Sequence, residues 1–179
     1  MNLTAITTFF YHQKYIWAVF FILLLFSACG YRFAGSGNLP GGAQTIAIEI
    51  FENRTPETGL ENILTNDLIY EFTRRGRSVQ KKSKDADAIL TGVIESERIT
   101  TISRQAEQRP LARRVEITVS LKLTGSDGGV KWFASNVSAF EDYDVATDTQ
   151  VTNINKRQAI ENLSKRLAER VYNRLTDNF

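Results

Sequence analysis

Between positions 115 and 123 the side chains alternate without a fault. Val115, Ile117, Val119, Leu121 and Leu123 are apolar, while Glu116, Thr118, Ser120 and Lys122 are polar. A period of two predicts a strand with one buried face. Ile46, Ile48 and Ile50, separated by Ala47 and Glu49, predict another over 45–51. Asn53-Arg54-Thr55-Pro56 ends it, because Pro56 has no N–H for a ladder and holds Thr55 extended. The period then changes. Leu60, Ile63, Leu64, Leu68 and Phe72 recur at three- and four-residue spacing, which predicts a helix over 59–75 with one apolar stripe. Gly76 suits a left-handed stop.

A short extended stretch over 78–81 and the polar turn Ser83-Lys84-Asp85-Ala86-Asp87 follow. Residues 88–103, rich in Ile, Val and Thr, predict a long strand. Gly125-Ser126-Asp127-Gly128-Gly129 reads as a hairpin loop whose glycines permit positive φ, with a returning strand over 130–143. A last helix is expected over 155–175. Its stripe is Ile160, Leu163, Leu167, Val171 and Leu175, and Glu161 precedes Lys165 by four as a favourable surface pair. The order β-α-β-β-β-β-α predicts an α+β fold. It is a two-layer α/β sandwich: an antiparallel or mixed sheet of about four strands carries two amphipathic helices on one face. The other face is Thr- and Ser-rich, and either wet or covered by a partner.

The N-terminal 43 residues follow a different pattern. Positions 16–26 are eleven consecutive apolar residues, preceded by Lys14 and by no acidic residue. A membrane-spanning helix needs roughly 20; a secretory leader needs only about 7–15, followed by small residues at the cut. Ser27-Ala28-Cys29-Gly30 supplies them, and the chain's one cysteine directly after resembles a bacterial lipobox. Phe26 stands where that motif prefers Leu. The resemblance implies a signal peptide over 1–28, removed, and a Cys29 that becomes an acylated N-terminus bearing N-acyl diacylglycerol. Two or more acyl chains anchor stably where one does not. Gly30, rather than Asp, follows the cysteine, which points to the outer membrane. Residues 29–43 read as a Gly-rich tether and 44–179 as one domain.

Removing residues 1–28 from the 179 leaves 151, with 21 Lys and Arg against 20 Asp and Glu. That near balance argues against bulk nucleic-acid binding. A lone cysteine excludes an intramolecular disulfide. The one histidine, His12, lies in the expected leader, so the mature chain offers neither a His-activated nucleophile nor a His/Cys metal site. Asp85 with Asp87 and Glu95 with Glu97 are the nearest approach to paired catalytic carboxylates, and Asp-rich turns explain them better. No enzyme activity and no cofactor beyond the Cys29 lipid are expected.

The charge asymmetry is local. Residues 98–114 carry Arg98, Arg104, Arg109, Arg113 and Arg114 against one acid, Glu107. Arginine's planar fork suits phosphate. With Ile99, Ile102 and Leu111 among them, this tip suits an amphipathic phosphorylated lipid, or equally is a hairpin tip kept soluble by charge. Arg74, Arg75, Arg77, Lys81, Lys82 and Lys84, at the end of the first helix, oppose its dipole and need no ligand. Arg166, Arg170 and Arg174 read as the wet side of the last helix.

The ordered set resembles the lipopolysaccharide-assembly lipoprotein family LptE. The likeness starts at Cys29-Gly30-Tyr31-Arg32-Phe33 and runs through Leu39-Pro40-Gly41-Gly42 and the stretch from Ile46 to Thr55. Leu60-Glu61-Asn62, Phe72-Thr73-Arg74-Arg75-Gly76 and Ala86-Asp87-Ala88-Ile89-Leu90-Thr91-Gly92 continue it. It implies a non-enzymatic subunit on the periplasmic side of the outer membrane that plugs and helps assemble an LptD-like β-barrel and binds lipopolysaccharide. The Thr/Ser face would meet the barrel wall. The implied glycolipid contacts are Arg104, with Arg109, Arg113 and Arg114. A basic residue expected before the last helix has no clear counterpart in Val151-Thr152-Asn153-Ile154; the nearest cations are Lys156 and Arg157. The same anchor and fold would also serve a lipoprotein that binds another envelope protein, such as a cell-wall synthase or a secretion component.

Overall fold

The computed structural model describes residues 39–102 and 112–176. In chain order the elements are β1 (Thr45–Ile48), β2 (Glu52–Asn53), α1 (Leu60–Arg74), β3 (Ser78–Gln80), β4 (Ala88–Ile102), β5 (Ala112–Gly125), β6 (Val130–Asp144) and α2 (Thr149–Thr176). The alternation over residues 115–123 is realised in β5, where Val115, Ile117, Val119, Leu121 and Leu123 are each 0–1% exposed. They form one side of a core completed by α1 and α2. The fold is α+β, with both helices on the same face of a mixed sheet.

That sheet has six strands where about four were expected. Its order is β3-β1-β4-β5-β6, with β2 also paired to β4. β1 lies parallel to both β3 and β4, while β4, β5 and β6 run antiparallel. The two extra strands are short, one just beyond the strand expected over 45–51 and one within the extended stretch over 78–81. The strand expected over 45–51 stops at Ile48, and β2 resumes the parallel pairing opposite Val93 and Ile94. Between them the chain turns Phe51 inward, where it is 2% exposed and its N–H donates to Thr65 Oγ1 of α1. The stretch over 78–81 becomes β3, the edge beyond β1.

The α1 boundaries follow the sequence. Gly76 has φ 77°, its N–H donates to the Thr73 carbonyl, and the Arg77 N–H donates to the Phe72 carbonyl. This is the two-bond left-handed termination expected of a helix stopped by glycine. Leu60, Leu64, Leu68 and Phe72 are 0–1% exposed, each removing about 1.5–3 kcal/mol worth of apolar surface from water. The Phe72 ring meets Tyr172 of α2 edge-on at 5.0 Å between centroids.

α2 begins at Thr149 and not at 155. Val151, Thr152, Asn153 and Ile154 are weak helix formers, which hid the first turn and a half. Asp148 Oδ1 accepts from the Gln150 N–H at 2.7 Å, and the Thr152 hydroxyl exchanges hydrogen bonds with the Ala146 backbone. These bonds hold donors that a helix start otherwise leaves unpaired. Ile160, Leu163, Leu167, Val171 and Leu175 are all buried, as their spacing required.

Asp87, one of the carboxylates considered for acid/base work, is a clamp. Its Oδ2 accepts from the backbone N–H groups of Gln44 and Thr45 at 3.0 and 2.9 Å and from the Thr45 hydroxyl at 2.9 Å. These bonds, the Thr45 N–H first, then the Thr45 hydroxyl and the Gln44 N–H, hold its pKa below the usual 3.8. A depressed folded-state pKa contributes stability above the unfolded value and loses it as pH falls through the folded one. Acid titration from 3.8 downward is expected to destabilise the wild type more steeply than Asp87→Ala, followed by thermal melts at each pH. Parallel curves would remove Asp87 as the group responsible.

Candidate functional site

β4, β5 and β6 run past β2 to the end of the sheet where β4 stops and β5 begins, and the first turns of α2 lie beside that end, Asn155 Nδ2 donating to the Asp144 carbonyl. Arg113 and Arg114 stand there, at the start of β5. Arg104 and Arg109 lie outside the described residues, as does Cys29. The two described arginines are not equivalent. Register puts Arg114 opposite Asp142 and Arg113 opposite Tyr143. Arg114 Nε and Nη2 bond the two Asp142 oxygens at 2.8 and 3.2 Å. Its guanidinium also lies 4.0 Å from the centre of the Phe140 ring. The Asp142 hydrogen bond raises its pKa. Both partners are about 40% exposed, so water weakens the pair, but two-point geometry fixes the fork in orientation. Arg113 is exposed and makes no ion pair among the described residues.

The cation question before α2 also has an answer. Lys156 Nζ lies 2.6 Å from Glu57 Oε2 and 2.8 Å from Glu97 Oε1. Glu97 is 5% exposed at its side chain, on the core side of β4 opposite Ile117. Burial weakens the ammonium, but the two carboxylates outweigh it, and the Lys156 pKa is raised above 10.5. Lys156 therefore ties α2 to β4 and to the loop before α1. Arg157 beside it is exposed, with no ion pair among the described residues. Sequence spacing could not find the triad, since its members are 40 and more residues apart and only packing brings them together.

The basic group at the end of α1 is structural. Glu71 is 3% exposed and accepts from Arg74 at 3.0 and 2.6 Å and from Arg75 at 2.8 Å. Arg75 also lies 5.1 Å from the Tyr172 ring centre, and Arg77 Nε donates to the Tyr172 hydroxyl at 3.3 Å. Arg166, Arg170 and Arg174 lie on the wet side of α2, as their spacing predicted, and two of them reach the sheet. Arg166 pairs with Glu141 and donates to the Phe140 carbonyl, and Arg170 donates to the Ser138 carbonyl. Both side chains stay exposed while bonding the β6 edge.

The helix-free face carries Thr91, Thr118, Ser120, Thr124 and Ser138, all half-buried. Phe133 and Phe140, 62% and 49% exposed, stand on it as large apolar side chains. Among the described residues no group of His, Cys, Asp and Glu could hold a metal ion, and no helix is long and apolar enough to cross a membrane.

A family model described as LptE, lipopolysaccharide-assembly, matches residues 43–175. The chain belongs to the LptE family. Membership places it among the components of lipopolysaccharide transport in the cell envelope, a non-enzymatic family without a cofactor. No curated protein matches the sequence. Solved structures share its fold. A lipoprotein B from Nitrosomonas europaea is 12% identical with a TM-score of 0.55, covering 82% of this chain and 90% of its own. A minor lipoprotein from Acinetobacter baumannii is 11% identical, with a TM-score of 0.52 and coverages of 75% and 92%. The rare lipoprotein B from Shewanella oneidensis is 9% identical, with a TM-score of 0.50 and coverages of 75% and 95%. At these identities the likeness is one of fold, and the LptE family match carries the function.

Proposed function

We propose that this LptE-family chain is an outer-membrane subunit anchored through acylated Cys29. It plugs an LptD-like barrel and contacts lipopolysaccharide phosphates at the β4–β5 tip. The family match over residues 43–175 carries the reading. Two features support its details. The helix-free sheet face is hydroxyl-rich, as a surface against a polar barrel lumen should be. The tip concentrates arginine, of which Arg113 is exposed. Arg104, Arg109 and Arg113 are the phosphate contacts in this reading. Arg114, committed to Asp142 and Phe140, shapes the strand end beside them. Lys156 is absorbed by its two carboxylates and leaves the ligand site.

Two experiments test the reading separately. The acylated protein, pulled from detergent-solubilised outer membranes, is expected to retain a large β-barrel chain. A different envelope protein retained in its place would favour the other lipoprotein role. For the ligand, Arg104→Glu with Arg113→Glu is expected to weaken lipopolysaccharide binding by roughly 10- to 100-fold, as losing two charge-assisted contacts should. Circular dichroism should be unchanged. Unaltered affinity in the folded double variant would remove the glycolipid contact and leave the plug.

A further inference from the structure

β6 is the long free edge of the sheet, since the order ends β4-β5-β6. An open edge of this length presents a row of unpaired N–H and C=O groups, a template for pairing with another chain. Here three of its carbonyls are already occupied, and all three donors come from α2. Asn155 Nδ2 donates to the Asp144 carbonyl at 2.9 Å, Arg166 to the Phe140 carbonyl, and Arg170 to the Ser138 carbonyl. The acceptors share one parity along the strand. In an antiparallel strand alternate residues turn both backbone groups to the same side, so these carbonyls share one side of β6, the side that the α2 donors reach.

The remaining part of the edge is distorted. Pairing with β5 slips by one residue at Lys131 and again at Ser135 and Asn136, where Asn136 adopts φ 54°. Bulges twist an edge away from further pairing. At the opposite side β3 is three residues long, too short to recruit a strand firmly. The two outermost strands are thus capped, bulged or short, and the stretch of β4 beyond β2, whose only strand neighbour among the described residues is β5, is the margin left open.

We propose that Asn155, Arg166 and Arg170 form a side-chain rail that closes β6 to strand addition. The rail keeps copies of this chain from joining through β6 and leaves the helix-free sheet face and the tip, with the open end of β4, as its surfaces for a partner. The closure stands apart from the barrel and glycolipid assigned above, since it concerns the chain before it meets either. An arginine that merely packed a helix on a sheet would affect melting temperature alone. A rail also governs association, and that difference is measurable.

The test uses the chain from Cys29 onward carrying Cys29→Ala, so that no acyl group drives association. This parent is expected to sediment as a monomer. Adding Arg166→Ala and Arg170→Ala is expected to lower the concentration of half-association roughly tenfold or more, as an uncovered edge should. In the associated form the amides of Ser138 and Phe140 should gain protection from hydrogen exchange. Lysine at both positions, which keeps a donor, should restore the monomer. A folded double alanine variant that stays monomeric overturns the proposal, as does association without protection of those amides. If the double variant unfolds, Arg170→Ala alone decides by the same two measurements.

Discussion

Replacing Lys156 by Met is expected to destabilise the fold by about 3 kcal/mol, a loss near 10 °C in melting temperature for a domain of this size. Methionine keeps the length of the side chain and removes the charge. What remains is Glu97, 5% exposed, and Glu57, 34% exposed, facing each other without their cation. Breaking a buried pair from one side costs more than the pair contributed, because a charge is left in a medium that solvates it poorly. The value sits at the low end of the usual 3–5 kcal/mol, since Lys156 is 22% exposed and water reaches part of the site. The linkage has a definite sign. A lysine whose folded pKa is raised contributes fully below the unfolded value of 10.5 and loses its contribution as pH rises through the folded one. The gap between wild type and Lys156→Met should therefore be constant at neutral pH and close in alkali above 10.5. Arg157→Met, one residue away and exposed, should change stability by no more than about 0.5 kcal/mol. A Lys156→Met protein that melted like the wild type but bound lipopolysaccharide more weakly would return this lysine to the ligand site.

The same contrast shows how far the sequence could be read. Periodicity located both helical stripes and the buried face of β5, because those patterns repeat over many residues and packing merely realises them. It missed the first residues of α2, where β-branched side chains and Asn153 argue against a helix that Asp148 and Thr152 nonetheless anchor. It missed β2, a two-residue strand with no period to detect. The tip shows the harder limit. Counting back from the hairpin pair Thr124 and Val130 would set Arg114 opposite Phe140, and its guanidinium would look free. Two bulges in β6 shift the register by two residues, so Asp142 arrives opposite instead. The Asn136 bulge has a weak local signal, an Asn in a strand; the Lys131 bulge has none. Arg113 and Arg114 were thus indistinguishable by composition and differ because of distortions more than ten residues away.

That register also explains why Phe140 stays on the helix-free face although it is large and apolar. It packs under the Arg114 guanidinium at 4.0 Å, a cation–π contact contributing roughly 0.5–1 kcal/mol at an exposed site. The tip is therefore stiffened by an aromatic and an acid around one arginine, while its neighbour is left to solvent. Substituting Arg113 and Arg114 one at a time in the same binding assay reads this division of labour. Arg113 should control affinity, and changes at Arg114 should act through the strand end it holds.

Gly92→Ala is expected to be the most damaging alanine substitution among the described glycines of the sheet. A β-carbon at Gly92 would lie 2.2 Å from Cε2 and 2.4 Å from Cζ of Phe51, well inside contact distance. Overpacking usually costs about 1–3 kcal/mol because neighbours yield. Phe51 has little room to yield. Its N–H is bonded to Thr65, and the chain on either side is tied to β4 through the Glu49 and Arg54 N–H groups, which donate to the Leu90 and Ile94 carbonyls. The upper end of the range, about 3 kcal/mol, is expected, read as the shift in urea midpoint at constant slope. The cause can be isolated by a second substitution. Phe51→Ala alone should cost about 3–5 kcal/mol by opening a cavity, but in that background Gly92→Ala should cost little, since the ring it strikes is gone. Strong non-additivity between residues in contact is the signature. Additive losses would mean that the added methyl strikes something other than the Phe51 ring, since the backbone at Gly92 is not among the positive-φ glycines.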